Sequence, residues 1–197
     1  YLPRSSRWLL DRGTCFEHAT TTSPVCCPAR ATIQSGQVPH NSGVRRQIDA
    51  RRLDPRRTIQ TRLGSAGLTT YAIGKYLNGV TPSSVIDGSF DSGFDRTDLW
   101  SSDRYSDYVL YDDDAQPYTP VPPVHTTLRA GTYLRDFVTE MVDAEQPFYA
   151  QVGFAAPHTQ NRHGAGFLFP APTAANAARP VPRFRFRPER DTSDKLL

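Results

Sequence analysis

The stretch Thr22-Ser23-Pro24-Val25-Cys26-Cys27-Pro28-Ala29-Arg30-Ala31-Thr32-Ile33-Gln34-Ser35-Gly36 decides how the rest of the chain is read. It reads as a short approach followed by a helix. Proline suits the first helical position, because its missing N–H would be unpaired there and its φ is already helical; Pro28 is therefore placed there. Gly36 supplies the left-handed residue that commonly closes a helix. Cys26 is then expected just ahead of a helix N-terminus, where open N–H groups and the dipole favour negative charge. Arg30 lies further along the same end and adds a fixed, forked cation. A nucleophile and an anion cradle coincide here.

Outward from this helix, the pattern alternates helices and strands. Residues 3–12 read as a helix with Trp8, Leu9 and Leu10 buried and Gly13 as its stop. Thr14 to Thr20 reads as extended, with Cys15 a small buried side chain. Arg45 to Arg57 holds six arginines with Asp49 and Asp54 among them. Such a run reads as a solvated loop with local ion pairs more readily than as an anion-binding patch. Thr58 is placed to cap a helix whose Ile59, Leu63 and Ala66 recur at helical spacing before Gly67 ends it. Thr69 to Ile73 is then a strand ending at Gly74-Lys75. That puts Lys75 at a strand's carboxyl end, the edge where open α/β sheets bind ligands.

Residues 81–125 are rich in Ser, Asp, Pro and Tyr, and short strands around Tyr105 to Tyr111 are expected to form a hairpin over or beside the site. The run Asp112-Asp113-Asp114 reads as a solvated turn. Thr127 to Ala144 is the longest helix, with Leu128, Tyr133, Leu134, Phe137, Met141 and Val142 on or near one face. Pro147 precedes a strand from Phe148 to Phe154, and Ala155-Ala156-Pro157-His158 follows it. Two helix–strand units thus deliver Lys75 and His158 to one sheet edge, and the class is α/β. From Thr159 the chain is rich in Pro, Ala and Arg and is expected to be irregular. The alternation Arg183-Phe184-Arg185-Phe186-Arg187 reads as a short strand or surface loop.

At 197 residues the chain can bury roughly 70% of its unfolded surface. A formal charge of +3 is too small to argue for nucleic acid. No apolar run is long enough to span a bilayer, and no targeting segment is evident. Three cysteines, two of them adjacent, make a poor disulfide framework, so cysteine usage says nothing of compartment. A thiol phosphatase would carry its arginine six residues past the cysteine, where this chain has Thr32. A redox pair would separate its cysteines by two residues, which Cys26 and Cys27 do not.

Cys26-x-Pro28-x-Arg30, continued by Ala31 to Gly36, resembles the signature of the type I sulfatases. The second cysteine, with Pro39-His40-Asn41 and Gly43-Val44 downstream, is similar to the glucosamine-6-sulfatase branch. Gly74-Lys75-Tyr76-Leu77-Asn78 resembles the family segment whose lysine binds sulfate oxygens. Many sulfatases have a histidine where Leu77 stands, and Asn78 acquires no role. Ala156-Pro157-His158-Thr159 resembles the segment whose histidine contacts the sulfate or the leaving group. His18, His40, His125 and His163 have no comparable support.

The resemblance implies an alkaline-phosphatase-like sandwich, a mixed, mostly parallel sheet flanked by helices, here incomplete at both ends. Residues 1–197 would be part of a catalytic domain, with 159–197 irregular. It implies a sulfuric ester hydrolase in which Cys26 is oxidised to formylglycine by a formylglycine-generating enzyme. The hydrated aldehyde attacks sulfur, the alcohol leaves, and sulfate is then expelled. Arg30 would anchor the modified Cys26, and Lys75 and His158 would bind the sulfate. A divalent cation, usually calcium, would be held by modified Cys26 and by family aspartates and an Asp-Asn pair that find no match here; residues 1–197 alone are accordingly expected to be inactive. The implied substrate is a sulfated carbohydrate such as an N-acetylglucosamine-6-sulfate, and the family is usually secreted, periplasmic or lysosomal. A phosphodiesterase or phosphonate hydrolase of the same superfamily, or an inactive fragment that binds anionic glycans through its arginines, are the alternatives.

Overall fold

A computed structural model describes residues 6–16, 18–100, 105–106, 108–111, 117–118, 123–162, 166–168 and 172–177. The expectations for Asp112–Asp114, His163, Arg183–Arg187 and the chain end lie outside these residues. After a π-helical turn at Ser6–Leu10 come α1 (Cys26–Ser35), α2 (Pro39–Ser42), two 3-10 turns (Ala50–Arg52 and Pro55–Arg57) and α3 (Ile59–Ser65). Then follow β1 (Thr69–Gly74), α4 (Pro82–Ile86), β2 (Arg96–Leu99), β3 (Leu110–Tyr111) and β4 (Pro117–Tyr118). The chain continues through α5 (Thr126–Asp143), β5 (Phe148–Gly153), β6 (Gln160–Arg162), β7 (Gly166–Leu168) and α6 (Ala174–Ala177).

The main sheet is parallel, in the order β2-β1-β5, so each neighbour is reached by a crossover. Register brings Gly74 opposite both Leu99 and Gly153, which aligns the carboxyl ends of all three strands. Period-two alternation then sends side chains to two separate cores. Ala72 and Leu99 join Cys27, Ala31, Tyr76, Leu77 and Phe90 on one face. Tyr71 and Ile73 join Trp100, Tyr108, Ala130, Phe137 and Met141 on the other, under α5. The α/β class and the two helix–strand units stand as the sequence implied.

Several local expectations do not. The first helix begins at Cys26 with Val25 as its cap, which puts Pro28 at the third position and not the first. Every N–H of the first turn lacks an intrahelical acceptor, so a proline is tolerated there too. Gly36 closes the helix with φ 67° and its N–H on the Thr32 carbonyl at 2.8 Å. Thr58 stands at the N-cap of α3, but its hydroxyl donates backward to the Pro55 carbonyl at 2.8 Å. The apolar spacing of α3 is also misleading, because Ile59 is exposed and the buried side chain is Gln60.

On α5 the buried stripe is narrower than the apolar pattern. Ala130, Phe137 and Met141 are inside, whereas Leu128 and Val142 face solvent. Trp8 and Leu9 are exposed, and Arg12 lies over the indole ring at 4.7 Å. Cys15 is exposed as well. The hairpin forms later than expected, Leu110–Tyr111 pairing with Pro117–Tyr118, and Tyr105 lies outside it as a buried side chain. Within the stretch expected to be irregular, β6 and β7 pair antiparallel and α6 adds a helical turn.

Candidate functional site

The site is built where α1 meets the carboxyl ends of β1 and β5. Its approach segment is pinned to the helix by a hydrogen bond between the Thr22 and Thr32 hydroxyls at 3.1 Å. Cys26, in the first turn, is partly exposed, whereas its neighbour Cys27 is fully buried. Burial pushes the Cys27 thiol up, and the Asn78 backbone N–H donates to its sulfur. Asn78, for which the sequence offered no role, thus ties the segment after Lys75 to α1 through its main chain.

The expected backbone cradle is smaller than the helix position suggested. The Cys27 N–H is taken by Gln47 Oε1 at 2.8 Å, and Pro28 has none to offer. Fewer free N–H groups face an anion here than at a bare helix N-terminus, so positive character at this end depends more on side-chain charge. Arg30 supplies it. Its Nη1 donates to the Lys75 carbonyl at 2.9 Å, which fixes the guanidinium at the strand ends. The Lys75 N–H in turn donates to the Gly153 carbonyl at 2.7 Å. The junction leaves no room for side chains at its centre. A Cβ on Gly153 would lie 2.0 Å from the Lys75 carbonyl oxygen and 3.0 Å from Arg30 Nη1. Gly74 has φ +87°, and a Cβ there would meet the Gly153 carbonyl at 2.4 Å.

Cys26 and Arg30 open into one pocket of about 400 Å³, with Ala29, Ile33, Tyr149, Gln151 and Val152 forming its other walls. Lys75 and His158 are not among the residues that line it. His158 follows β5 after a cis Ala156–Pro157 peptide and is exposed. Its carbonyl accepts from the Tyr105 hydroxyl at 2.6 Å, and its Nδ1 lies 2.6 Å from the Thr159 carbonyl. Tyr105 also packs on His125, ring centroids 5.0 Å apart. The structure therefore joins Cys26, Arg30 and the Lys75 main chain directly, and sets His158 in the loop beyond the same strand ends.

Sequence reasoning missed Gln47, Tyr105 and the buried polar group beneath the helix. Tyr76 donates to Gln34 Oε1 at 2.9 Å, and Gln60 Nε2 donates to the Ser92 carbonyl at 3.0 Å. No local pattern flags such partners, which lie far apart in the chain. The glycines at the ends of both strands did carry a signal, since glycine in a strand marks close backbone approach. For the implied divalent cation the residues do not fit: among the described residues no group of three or more His, Cys, Asp or Glu side chains could hold a metal ion. No helix among the described residues is long and apolar enough to cross a membrane.

The putative extracellular sulfatase Sulf-1 homolog of Caenorhabditis elegans is 27% identical over 179 residues, covering 80% of this chain and 23% of that protein. The Drosophila melanogaster homolog is 39% identical over 84 residues, 40% of this chain and 8% of that protein. An arylsulfatase of Chlamydomonas reinhardtii is 24% identical over 176 residues, 82% of this chain and 26% of that protein. The chain thus spans at most about a quarter of the curated relatives it matches. Among solved structures, BT4656 in complex with its substrate D-glucosamine-2-N,6-O-disulfate has a TM-score of 0.52 at 21% identity, covering 73% of this chain and 27% of that one. Ps i-CgsB in complex with k-i-k-neocarrahexaose has a TM-score of 0.56 at 19% identity, covering 71% and 36%. These two likenesses concern the fold. The sulfatase family profile matches residues 1–191, and the chain belongs to that family.

Proposed function

We propose that the protein carrying this chain hydrolyses sulfate esters through a formylglycine made from Cys26, with sulfated sugars of the N-acetylglucosamine-6-sulfate kind as substrates. One observation carries the reading: in a chain of the sulfatase family, Cys26 and Arg30 of the C-x-P-x-R helix open into a single pocket. Of the two adjacent cysteines, only Cys26 is accessible to a modifying enzyme or a substrate, because Cys27 is fully buried. Oxidised Cys26 would supply the aldehyde hydrate whose oxygen attacks sulfur.

The chain's own residues do the rest. Arg30, immobilised on the Lys75 carbonyl, presents a preorganised cation to the sulfate, and such a charge works best when it need not reorganise during reaction. Lys75, at the carboxyl end of β1, adds a second cation to the sulfate oxygens, and His158 meets the sulfate or the departing alcohol. Tyr105, holding the His158 carbonyl, is a positioning residue for that loop. Calcium is the cation this reading favours, with ligands beyond those described. A sulfated glucosamine as substrate is supported by the ligand of the structural neighbour, and secretion by the extracellular relatives.

The reading is tested on the protein at its full natural length. Peptide mass spectrometry should find the Cys26 peptide about eighteen mass units lighter than its thiol form, the change from thiol to aldehyde. A matched panel of sulfate and phosphate esters should show turnover of the sulfates, lost on Cys26→Ala. Preference for phosphate esters would assign the protein to phosphodiester or phosphonate hydrolysis. Unmodified cysteine with undiminished turnover would remove the formylglycine.

A further inference from the structure

The arginine-rich segment after α2 does form local ion pairs, as its composition suggested, but they do not neutralise it. Six arginines between Arg45 and Arg57 face two aspartates. Asp54 pairs with Arg56 at 3.0 Å in the open. Asp49 is different, being buried at 6% exposure and acting as a hub. It accepts from the Arg45 and Arg46 N–H groups at 3.2 and 2.9 Å and from Arg46 Nη2 at 3.0 Å. Arg52 Nε lies 3.5 Å away. These bonds hold the Asp49 carboxyl well below the usual carboxylate range, so it stays charged and keeps the turn closed.

The closed turn shapes a second pocket, of about 420 Å³, lined by Gly43, Arg45, Arg46, Asp49 and Arg52. Three arginines line it with one carboxylate, Asp49, which the Arg46 and Arg52 side chains already engage. Arg45 is exposed, and its guanidinium makes no hydrogen bond or ion pair among the described residues. The pocket is also tied to the candidate site, because Gln47 in the same turn accepts from the Cys27 N–H in the first turn of α1. Arg46 and Arg52, held by a buried acid with Arg45 beside them, suit sulfate or carboxylate oxygens, which arginine meets through paired hydrogen bonds.

We infer that this pocket is an anion subsite, taking a sulfate or carboxylate of a polyanionic glycan on a sugar other than the one bearing the scissile ester. The anion-binding part stands on the pocket alone; its place beside a reacting ester rests on the function proposed above. Arg45 and Arg52 make the subsite selective for charged chains over isolated monosaccharides. Arg46, engaged with Asp49, keeps its shape.

The test is calorimetric titration of a heparin-derived tetrasaccharide into the full-length protein carrying Cys26→Ala, which removes turnover from the measurement. Arg45→Ala with Arg52→Ala should weaken binding about tenfold and flatten its salt dependence, since two charge-assisted contacts are lost. The control pair Arg56→Ala with Arg57→Ala, in the same segment but outside the pocket, should change affinity less than about twofold, as expected for screened surface charges. Equal losses in the two pairs would mean a diffuse basic field and overturn the subsite, as would no loss in either. Arg45→Glu alone guards against misfolding, because that side chain supports nothing around it; it should also lose binding, and full retention counts against the pocket. A desulfated uronate tetrasaccharide separates the two anions: retained binding assigns the pocket to carboxylate, lost binding to sulfate. Tight binding through Arg45 and Arg52 in a protein that hydrolyses no sulfate ester would leave the subsite standing and overturn the catalytic reading. Hydrolysis with binding indifferent to both arginines would do the reverse.

Discussion

The two faces of the parallel sheet are built on different principles. Under α5 the face is aromatic, with Tyr71 on Phe137 at 4.7 Å between ring centroids, Phe137 on Phe148 at 5.5 Å and Trp100 on Tyr108 at 5.6 Å. Under α1 the face buries polar side chains as well, Gln34, Gln60 and the Tyr76 hydroxyl among them, alongside Cys27 and Ala31. Apolar packing is non-directional, whereas a buried hydrogen bond demands its partner in place. The aromatic face accordingly supplies stability, and the polar face holds α1 in register with the strand ends where Arg30 and Lys75 meet. The face that holds Cys26 and Arg30, the proposed site, is the one that spends burial on polar groups.

The comparison can be broken first where the expected effect is largest. Phe137→Ala should remove about 3–5 kcal/mol, the range for deleting a buried aromatic ring. Urea denaturation of the full-length protein measures it, and a loss under about 1 kcal/mol would mean the aromatic face is not the main support. Gly153→Ala comes next, at roughly 1–3 kcal/mol for overpacking against backbone. Here the proposed sulfate-ester turnover should fall further than stability does, because the new Cβ displaces the Lys75 carbonyl and Arg30 together. Activity that tracks stability alone would separate this junction from the site.

Tyr76→Phe sharpens the polar side, since the ring keeps its edge contacts with Phe90 and Phe94 and only the hydroxyl goes. Burial raises the Tyr76 hydroxyl far above its ordinary range, so it is a neutral donor at every working pH. Its loss leaves Gln34 Oε1 unsatisfied and should cost about 1–3 kcal/mol. Unchanged stability would show that hydrogen bonding on this face is dispensable. The smallest effect concerns acid. The folded Asp49 carboxyl titrates below its unfolded value, led by its hydrogen bonds from Arg46. Its contribution is therefore complete above an ordinary carboxylate pKa of about 4 and disappears as pH falls through the lowered folded value. The amide resonances of Arg45 and Arg46 should hold steady from neutral pH to mild acid and move only below the usual range. Movement at the ordinary carboxylate pKa would dissolve the hub.

The strands were legible because their signals are local. Thr69 to Gly74 and Phe148 to Gly153 are short apolar runs, each following a helix and ending in glycine, and their order alone implies an α/β unit with Lys75 and His158 at one end. The C-x-P-x-R stretch was legible for the same reason, since its residues lie within one helical turn of each other. What failed was every inference from apolar spacing to burial at the margins. Ile59, Leu128, Val142, Trp8 and Leu9 sit on helices, yet no second layer covers them among the described residues. Spacing says which face of a helix is apolar; a neighbour decides whether that face is buried.

The sequence by itself determined the α/β class, the family, and the nucleophile candidate at the start of a helix, because each rests on residues close together in the chain. Tertiary structure alone decided that Cys26 is the accessible cysteine and Cys27 the buried one. It also decided that Arg30 is held by the Lys75 carbonyl, that Gln47 takes the Cys27 N–H in the first turn of α1, and that Asp49 gathers Arg45, Arg46 and Arg52 around a pocket. Hydrogen bonds and burial depend on groups brought together from distant positions, and a sequence read along its length carries no record of which distant groups will meet.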